Sequence, residues 1–364
     1  MTTSTSSSKI PVDQYDPEQL KAWIKAEALA LGFSDCVIAK PDAQAELPRF
    51  KTYLELGYHG DMHFLAENLE KRVDPTLLVP GTKSIICVRM DYLVAVPEPR
   101  LVPFAPNSAI IARYARGRDY HKVMRGRLKT LSQKIKAKVG DFESRPFADS
   151  APIFEKSLAE NAGMGWVGKH TLLIHKTSGS FFVLGELFTS LELPFDQATT
   201  KHCGSCSACI DICPTQAIVE PYLLDARKCI AYLTIEFQGI IPEELRRGIG
   251  NRVFGCDDCQ LICPWNSFAK TTPIDDFNPR HGLDDIQLID LWQWDENTFM
   301  ANTEGSPLRR TGYQSFMRNV AIGLGNAPFS DEILQQLQAS RPELNDIVQV
   351  HIDWAIQEQL MKRH

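Results

Sequence analysis

The chain has 364 residues, of which 44% are hydrophobic and 23% charged, and a formal net charge of −6. That is enough for two or three domains with cores of their own, it excludes intrinsic disorder as the default, and it argues against indiscriminate binding to a polyanion while leaving room for a local basic stripe. The opening MTTSTSSS has neither the charged start nor the apolar core of a signal peptide, and no apolar run approaches about twenty residues, so a cytoplasmic protein without a membrane span is expected.

Asp16-Pro17 predicts a helix N-terminus, with Leu20, Trp23, Ile24, Ala28 and Leu31 at helical spacing and Gly32 as its close. Cys36 and Cys87 stand alone and are expected to be packed core residues; Ser84 to Val88 reads as a buried strand. Helices are expected at Tyr120–Val139 and Pro152–Ala162. The runs TLLIHK and FFVLGELF flank a Thr-Ser-Gly-Ser turn, which suggests a β-hairpin or adjacent antiparallel strands. Residues 1–195 thus read as one α/β or α+β domain, and 196–270 as a compact insert shaped by ligand geometry more than by a core. Residues 271–364 read as helical, with Leu308–Leu324, Asp331–Gln338 and Ile347–Met361 as a short stack of helical-repeat type. The fold class expected is α+β.

The cysteines carry the strongest chemical signal. One run is Cys203-x2-Cys206-x2-Cys209-x3-Cys213-Pro214; the second is Cys229, then Cys256-x2-Cys259-x3-Cys263-Pro264. In a reducing compartment this points to metal, and the 2-2-3 spacing ending in Pro is that of two-cluster ferredoxins, in which the fourth cysteine of each run crosses to the other cluster. Cys203, Cys206, Cys209 and Cys263 are therefore expected to hold one [4Fe–4S] cluster, and Cys213, Cys229, Cys256 and Cys259 the other. A pair of four-cysteine zinc sites is the competing reading and fits the spacing poorly.

Between Arg113 and Lys138 ten Lys or Arg stand against one acid, Asp119, and with Arg309, Arg310 and Arg318 they could track RNA phosphates; a solvated helix face is the plainer reading. Gly163, Gly165 and Gly168 in GMGWVGK follow a helix rather than a strand, so no dinucleotide site is expected; a turn that lets backbone approach a flat cofactor is. Asp61-x-His63-x-x-Ala66 imitates a cobalt-ligand motif but lies in an apparent helix, and His63 reads as a packing residue.

Several longer segments carry a resemblance: GDMHFL at 60–65, RVDP at 72–75, YARGRDYH at 114–121, DSAPIFEKSLAENAGMGWVGKHTLLI at 149–174, CIAYLTIEFQG at 229–239, GNRVFGCDDCQLICPWN at 250–266 and RTGYQSFMRNVAIGLGN at 310–326. In these the chain resembles the epoxyqueuosine reductases, cobalamin-dependent enzymes of the last step of queuosine synthesis on tRNA. The resemblance implies an N-terminal cobalamin-binding domain like that of reductive dehalogenases and of the cobalamin-processing chaperone. It also implies a double-cluster ferredoxin module feeding electrons to cobalt, a C-terminal helical-repeat (HEAT-like) module, and epoxyqueuosine-bearing tRNA as partner. A low-potential electron donor is required, and a monomer is expected.

The resemblance makes Asp149 the proton donor. Loss of an epoxide oxygen needs an acid, and a desolvated pocket that raises a carboxyl pKa would supply one near neutral pH; a carboxylate favoured by the dipole of the Pro152 helix is the alternative. Tyr120 and His121 would position the epoxide or relay protons, or be structural. Arg72 would contact cobalamin, or pair with Asp74 or Glu70. Ala231, Tyr232 and Gln238 would face the corrin. A reductive dehalogenase and an electron-carrying ferredoxin subunit are the rival readings; the first is disfavoured by the basic stripe, the second by nearly 200 patterned residues before the cysteines.

Overall fold

A computed structural model describes residues 15–95, 105–339 and 341–363, so the MTTSTSSS opening lies outside the described residues. Asp16 caps the first helix, α1 (Pro17–Ala30), by accepting from Glu18 N–H, and Leu20, Ile24 and Ala28 are its buried stripe. β1 (Asp35–Ala39) follows, then the short helices α2 (Leu47–Glu55) and α3 (Leu69–Val73), β2 (Ser84–Asp91) and the long helix α4 (Tyr120–Val139), whose bounds match the sequence expectation. β3 (Ser144–Phe147), α5 (Glu155–Asn161), the two-residue strands β4 (Trp166–Val167) and β5 (Leu173–Ile174), and β6 (Phe182–Thr189) complete this part.

The sheet has the order β1-β2-β6-β3, each pair antiparallel. Every residue of β2 is buried. Because side chains alternate, Ile86, Val88 and Met90 pack under α1 and α4 while Ile85 and Cys87 pack under α5, so a strand covered on both faces reads as one apolar run. Cys36 and Cys87, at 3% and 0% exposure, are core residues as expected.

The hairpin expected at 171–193 does not form. His175 and Gly179 close the turn, but β5 pairs with β4 while β6 enters the main sheet between β2 and β3. The second run could not satisfy both its faces in a two-stranded ribbon; in the sheet centre it can. α5 also starts later than expected, at Glu155, which leaves residues 148–154 as a turn over the sheet edge.

In the cysteine segment α6 (Ala208–Asp211), α7 (Ile230–Ile235) and α8 (Asp258–Leu261) each follow a cysteine, and α6 packs on α8. The C-terminal helices are α9 (Tyr313–Asn326), preceded by a 3-10 turn at 307–311, α10 (Asp331–Gln338) and α11 (Asp346–Met361). Here the expectation of an insert with little core of its own fails: Ala226, Ile230, Tyr232, Leu233, Ile249, Val253 and Phe254 share one apolar core with α9 and α11. Arg318 on α9 bridges the join. At 0% exposure it donates to the carbonyls of Leu233, Phe237 and Gly239, while Asn319 donates to those of Thr234 and Val253. Among the described residues no helix is long and apolar enough to cross a membrane.

Candidate active site

Asp119 caps α4 by accepting from His121 N–H at 3.0 Å, which fixes the first turn and with it the two side chains that open the helix. The same carboxylate holds His121 Nδ1 at 2.7 Å, and the far nitrogen of the ring, Nε2, lies 3.2 Å from Asp149 Oδ2. Tyr120, stacked on His121, donates its hydroxyl to that oxygen at 2.7 Å. Asp149 stands in the 148–154 turn at φ +58°, a left-handed conformation that costs a non-glycine residue about 1–2 kcal/mol. Its N–H donates to Glu155 Oε1 at 2.6 Å. Arg310, paired with Glu236 at 3.0 Å, completes the charged ring around it.

Burial opposes ionisation of Asp149, but the hydrogen bonds from His121 and Tyr120 and the charges of His121 and Arg310 outweigh it and hold the carboxyl below its ordinary range. The expected pocket-raised carboxyl is therefore corrected: Asp149 rests as a carboxylate with its side chain 55% exposed. For His121, burial disfavours the charge, yet the Asp119 and Asp149 hydrogen bonds win and raise it to about 9. Burial beside Asp149 pushes the Tyr120 phenol far up. At neutral pH the web thus carries its spare proton on the imidazolium and presents it to Asp149.

The residues expected to meet a corrin are distributed unequally. Arg72 is buried, donates to the Phe64 carbonyl, lies 6.0 Å from the Phe50 ring centre and has a buried Nε without a partner; the expected alternative, a surface pair with Asp74 or Glu70, is absent among the described ion pairs. Tyr232 accepts from Asp61 N–H and so ties α7 to the 57–66 loop; its hydroxyl lies 2.5 Å from where a Cβ on Gly60 would stand. Ala231 N–H and Tyr232 N–H point at the Cys229 sulfur. Gln238 is exposed and engaged by Ser315, so its side chain is spent on the C-terminal helices. His63 is exposed, not the packing residue expected, its ring 6.1 Å from that of His59. The three glycines do make close approaches, but to the chain itself: a Cβ on Gly163 would stand 2.2 Å from the Gln197 carbonyl and one on Gly165 2.1 Å from that of Ile174.

Arg72 Nε and His59 Nδ1 are buried and unpartnered. Donors left open in this way fit a ligand rich in amide and phosphate acceptors, as cobalamin is. Tyr53, raised by burial and then by Cys229, links this region to the cysteine segment.

Among the cysteines, burial and then Cys263, Cys203 and Cys206 push the Cys209 thiol up to about 11, while Cys259 is raised by burial and then by Cys229, with Cys209 and Cys213 also near. Cys263 is thus brought to the first three cysteines of the other run, and Cys213 and Cys229 to Cys259. Eight thiols in two interleaved fours, with Ala217 N–H on Cys213 and the Trp265 and Asn266 N–H groups on Cys263, fit two cubanes with their N–H···S bonds. Cys206 is the exposed member.

The basic stripe divides. Arg116 is buried on the Ile111 carbonyl, Arg113 pairs with Asp257, and Arg127 is bound to the Leu31 carbonyl; Lys122, Arg125 and Lys129 are exposed along one face of α4. Of the tail arginines Arg318 is corrected from an RNA contact to a core residue, and Arg310 belongs to the Asp149 ring. Sequence reasoning missed Asp119, Glu155, Glu186 and Glu236. Two had visible signals: Asp119 immediately precedes Tyr120-His121, and Glu186 is a lone acid within the apolar run FFVLGELF.

Eight cysteines in this spacing fit the class of two-cluster iron–sulfur oxidoreductases. The segment 202–266 matches a 4Fe-4S double cluster binding domain, and 72–150 matches a family model described as epoxyqueuosine reductase QueG, DUF1730. The chain is 51% identical to the epoxyqueuosine reductase of Pseudomonas aeruginosa over 94% of its own length and 95% of the relative's, and 47% identical to that of Escherichia coli K12 over 96% and 92%. A crystal structure of an epoxyqueuosine reductase with an epoxyqueuosine-modified tRNA-Tyr stem loop superimposes with a TM-score of 0.86 at 28% identity, covering 94% of this chain and 91% of that one. The Bacillus subtilis enzyme, solved with its catalytic aspartate loop swung out of the active site, gives 0.85 at 28% identity over the same shares. The chain belongs to the epoxyqueuosine reductase family.

Proposed function

We propose that this chain reduces the epoxide of epoxyqueuosine, at the wobble position of tRNA, to the cyclopentene of queuosine, with Asp149 as the group that passes protons to the departing oxygen. The balance is two electrons and two protons per epoxide: both C–O bonds break, a C=C bond forms, and the oxygen leaves as water. When bound, cobalamin supplies strongly reducing cobalt chemistry and the two clusters supply single electrons from a low-potential donor. Arg72 and His59 would help hold the cobalamin, with Ala231 and Tyr232 on the side toward Cys229; the eight cysteines would hold the clusters. From Cys229 to Glu236 is one short helix, about 10 Å of rise, so one end of α7 carries a cluster ligand and the other the partner of Arg310.

The observation that carries the reading is the junction at Asp149 Oδ2 of Tyr120, His121 and, through His121, Asp119. An ionised Asp149 is a poor acid by itself. Flanked by an imidazolium it becomes the terminal carrier of a relay: His121 hands its proton to Asp149 Oδ2, Asp149 hands it to the oxygen, and Asp119 keeps the ring oriented throughout. Two proton deliveries per turnover require such recharging, and Tyr120, which keeps its proton, orients the oxygen that gives it up. An electron-carrying subunit would have no use for this web.

As to organisation, residues 1–195 are read as the cobalamin and catalytic domain, 196–270 as the ferredoxin-like module and 271–364 as the helical-repeat module, in a cytoplasmic monomer. Exposed Lys122, Arg125 and Lys129 on the helix that begins at Tyr120 support an RNA stem crossing the rim while the modified base enters the recess. The test is to incubate the cluster-loaded, reduced protein, with and without cobalamin, with tRNA carrying epoxyqueuosine and to analyse nucleosides by mass. Cobalamin-dependent loss of one oxygen is expected; an unchanged nucleoside overturns the reading.

A further inference from the structure

Behind the Asp149 turn lies a second pair of acids that the relay does not use. Glu155 opens α5 and spends Oε1 on the Asp149 N–H at 2.6 Å. Glu186 projects from the middle of β6 at 0% exposure, in register with Cys87 on one side and Phe147 on the other. Both Glu186 oxygens are buried without a hydrogen-bond partner of good geometry, and the group facing them is the Glu155 carboxyl. No cation is among the groups acting on Glu186. An ionised carboxylate so placed, beside a second one, is untenable in a protein interior; the pair must hold a proton between them.

Taking the catalytic reading of Asp149 as its basis, we propose that Glu155, backed by a protonated Glu186, is the positioning residue that latches the Asp149 turn in the site. The argument is geometric. A left-handed aspartate in a turn without regular structure is costly, and its side-chain contacts to Tyr120 and His121 fix the carboxyl without fixing the backbone. Glu155 is the main-chain anchor. It bonds the one peptide N–H whose orientation decides where Oδ2 points, and a charged acceptor makes that bond strong. Glu186 sits on a rigid central strand and gives the anchor a fixed base. Its neutrality keeps the negative charge on Glu155, where the N–H can use it.

The latch is also sensitive to protonation. Burial and then the Asp149 charge raise Glu155 to about 7, with the His121 cation lowering it. Lys156 on its own helix, Tyr120 on α4 and Cys87 on β2 are the other titratable groups acting with it. Above about pH 7 Glu155 is a carboxylate and holds the turn; below, it takes a proton and the hold on the N–H weakens.

Three variants test this, with wild-type turnover of epoxyqueuosine tRNA as the control: an inactive wild type fails the catalytic reading, not the latch. In Glu155→Ala, amide exchange in the peptide spanning 148–153 should quicken about 10- to 100-fold, the range set by one hydrogen bond to a charged acceptor. The rate constant kcat should fall similarly, with KM for tRNA unchanged. Glu155→Gln keeps an acceptor oxygen but loses the charge and the titration, so protection of the turn should fall between wild type and Glu155→Ala while the acid limb of the kcat–pH profile near 7 disappears. In cluster-loaded protein above about pH 8, where Glu155 is ionised, the infrared carbonyl component of buried protonated Glu186 should persist in Glu155→Gln and be lost in Glu186→Gln. Unchanged exchange at 148–153 in Glu155→Ala, or a carbonyl band left unchanged by Glu186→Gln, overturns the proposal. Should the alanine variant not fold, the two glutamine variants decide it alone.

Discussion

Between Cys203 and Cys263 the chemistry is local in sequence: ligands three and four positions apart, with each expected group of four completed by one or two partners from elsewhere in the segment. The Asp149 site is assembled the other way, from the start of α4, the turn before α5, the middle of β6 and the approach to α9, with only Asp119, Tyr120 and His121 adjacent. The first region handles electrons, which need fixed carriers and tolerate a coarse frame. The second, on the function proposed above, would handle protons, which move over tenths of an ångström and need every donor oriented. A short motif suffices for the one; the other needs the whole fold.

Removing a ligand should be the most damaging test of the first plan. Protein reconstituted without oxygen should hold about eight irons, and Cys263→Ala about four. Spectroscopy should show the damage at the cluster of Cys203, Cys206 and Cys209, its distant partners, and selective loss of the cluster held by Cys256 and Cys259 would reverse the pairing. On the second plan, Asp149→Asn should keep clusters and cobalamin while single-turnover rates fall about 10²–10⁴-fold, as for loss of a general acid. Activity within a few-fold of wild type would remove Asp149 from the chemistry.

A smaller effect follows from His121. Its folded pKa, about 9, lies above the ordinary 6.5, so the stability it contributes is complete below about pH 6.5 and is lost as pH rises through about 9. Wild type should exceed His121→Gln in stability by up to about 3 kcal/mol at low pH, and unfolding curves across pH 6–10 should show the gap closing; a constant gap would place the proton elsewhere. Least of all, Lys129→Gln should lower the log–log salt slope of tRNA binding by about one and leave cobalamin content alone. Arg127→Gln, by contrast, should lower Tm with little change in that slope, because Arg127 serves the Leu31 carbonyl.

This contrast also explains what the sequence made legible. The double-cluster segment, the bounds of α4 and the apolar run of β2 are set by spacing and periodicity, and each was readable. Asp149 needed a family resemblance to be noticed, and its ionisation was misjudged, since the hydrogen bonds that lower its pKa come from a helix 28 residues away. Glu186 is the sharper lesson. An acid in the middle of a buried strand was in plain view, but what makes it chemical is Glu155, 31 positions earlier, and no local pattern relates the two. The hairpin failed for the same reason: a turn signal says where the chain reverses, not which strand it will meet.

Arg318 has a practical corollary. Its guanidinium joins the C-terminal helices to α7, donating to main-chain carbonyls of the segment that begins at Cys229 and to Asn319 Oδ1 beside it. A shortened chain ending before α9 would therefore not be a smaller redox domain. It would leave the carbonyls of Leu233, Phe237 and Gly239 without their donor and the helix behind a cluster ligand without its floor. The C-terminal helices are in this sense part of the wiring, and domain dissection of this protein should start by keeping them.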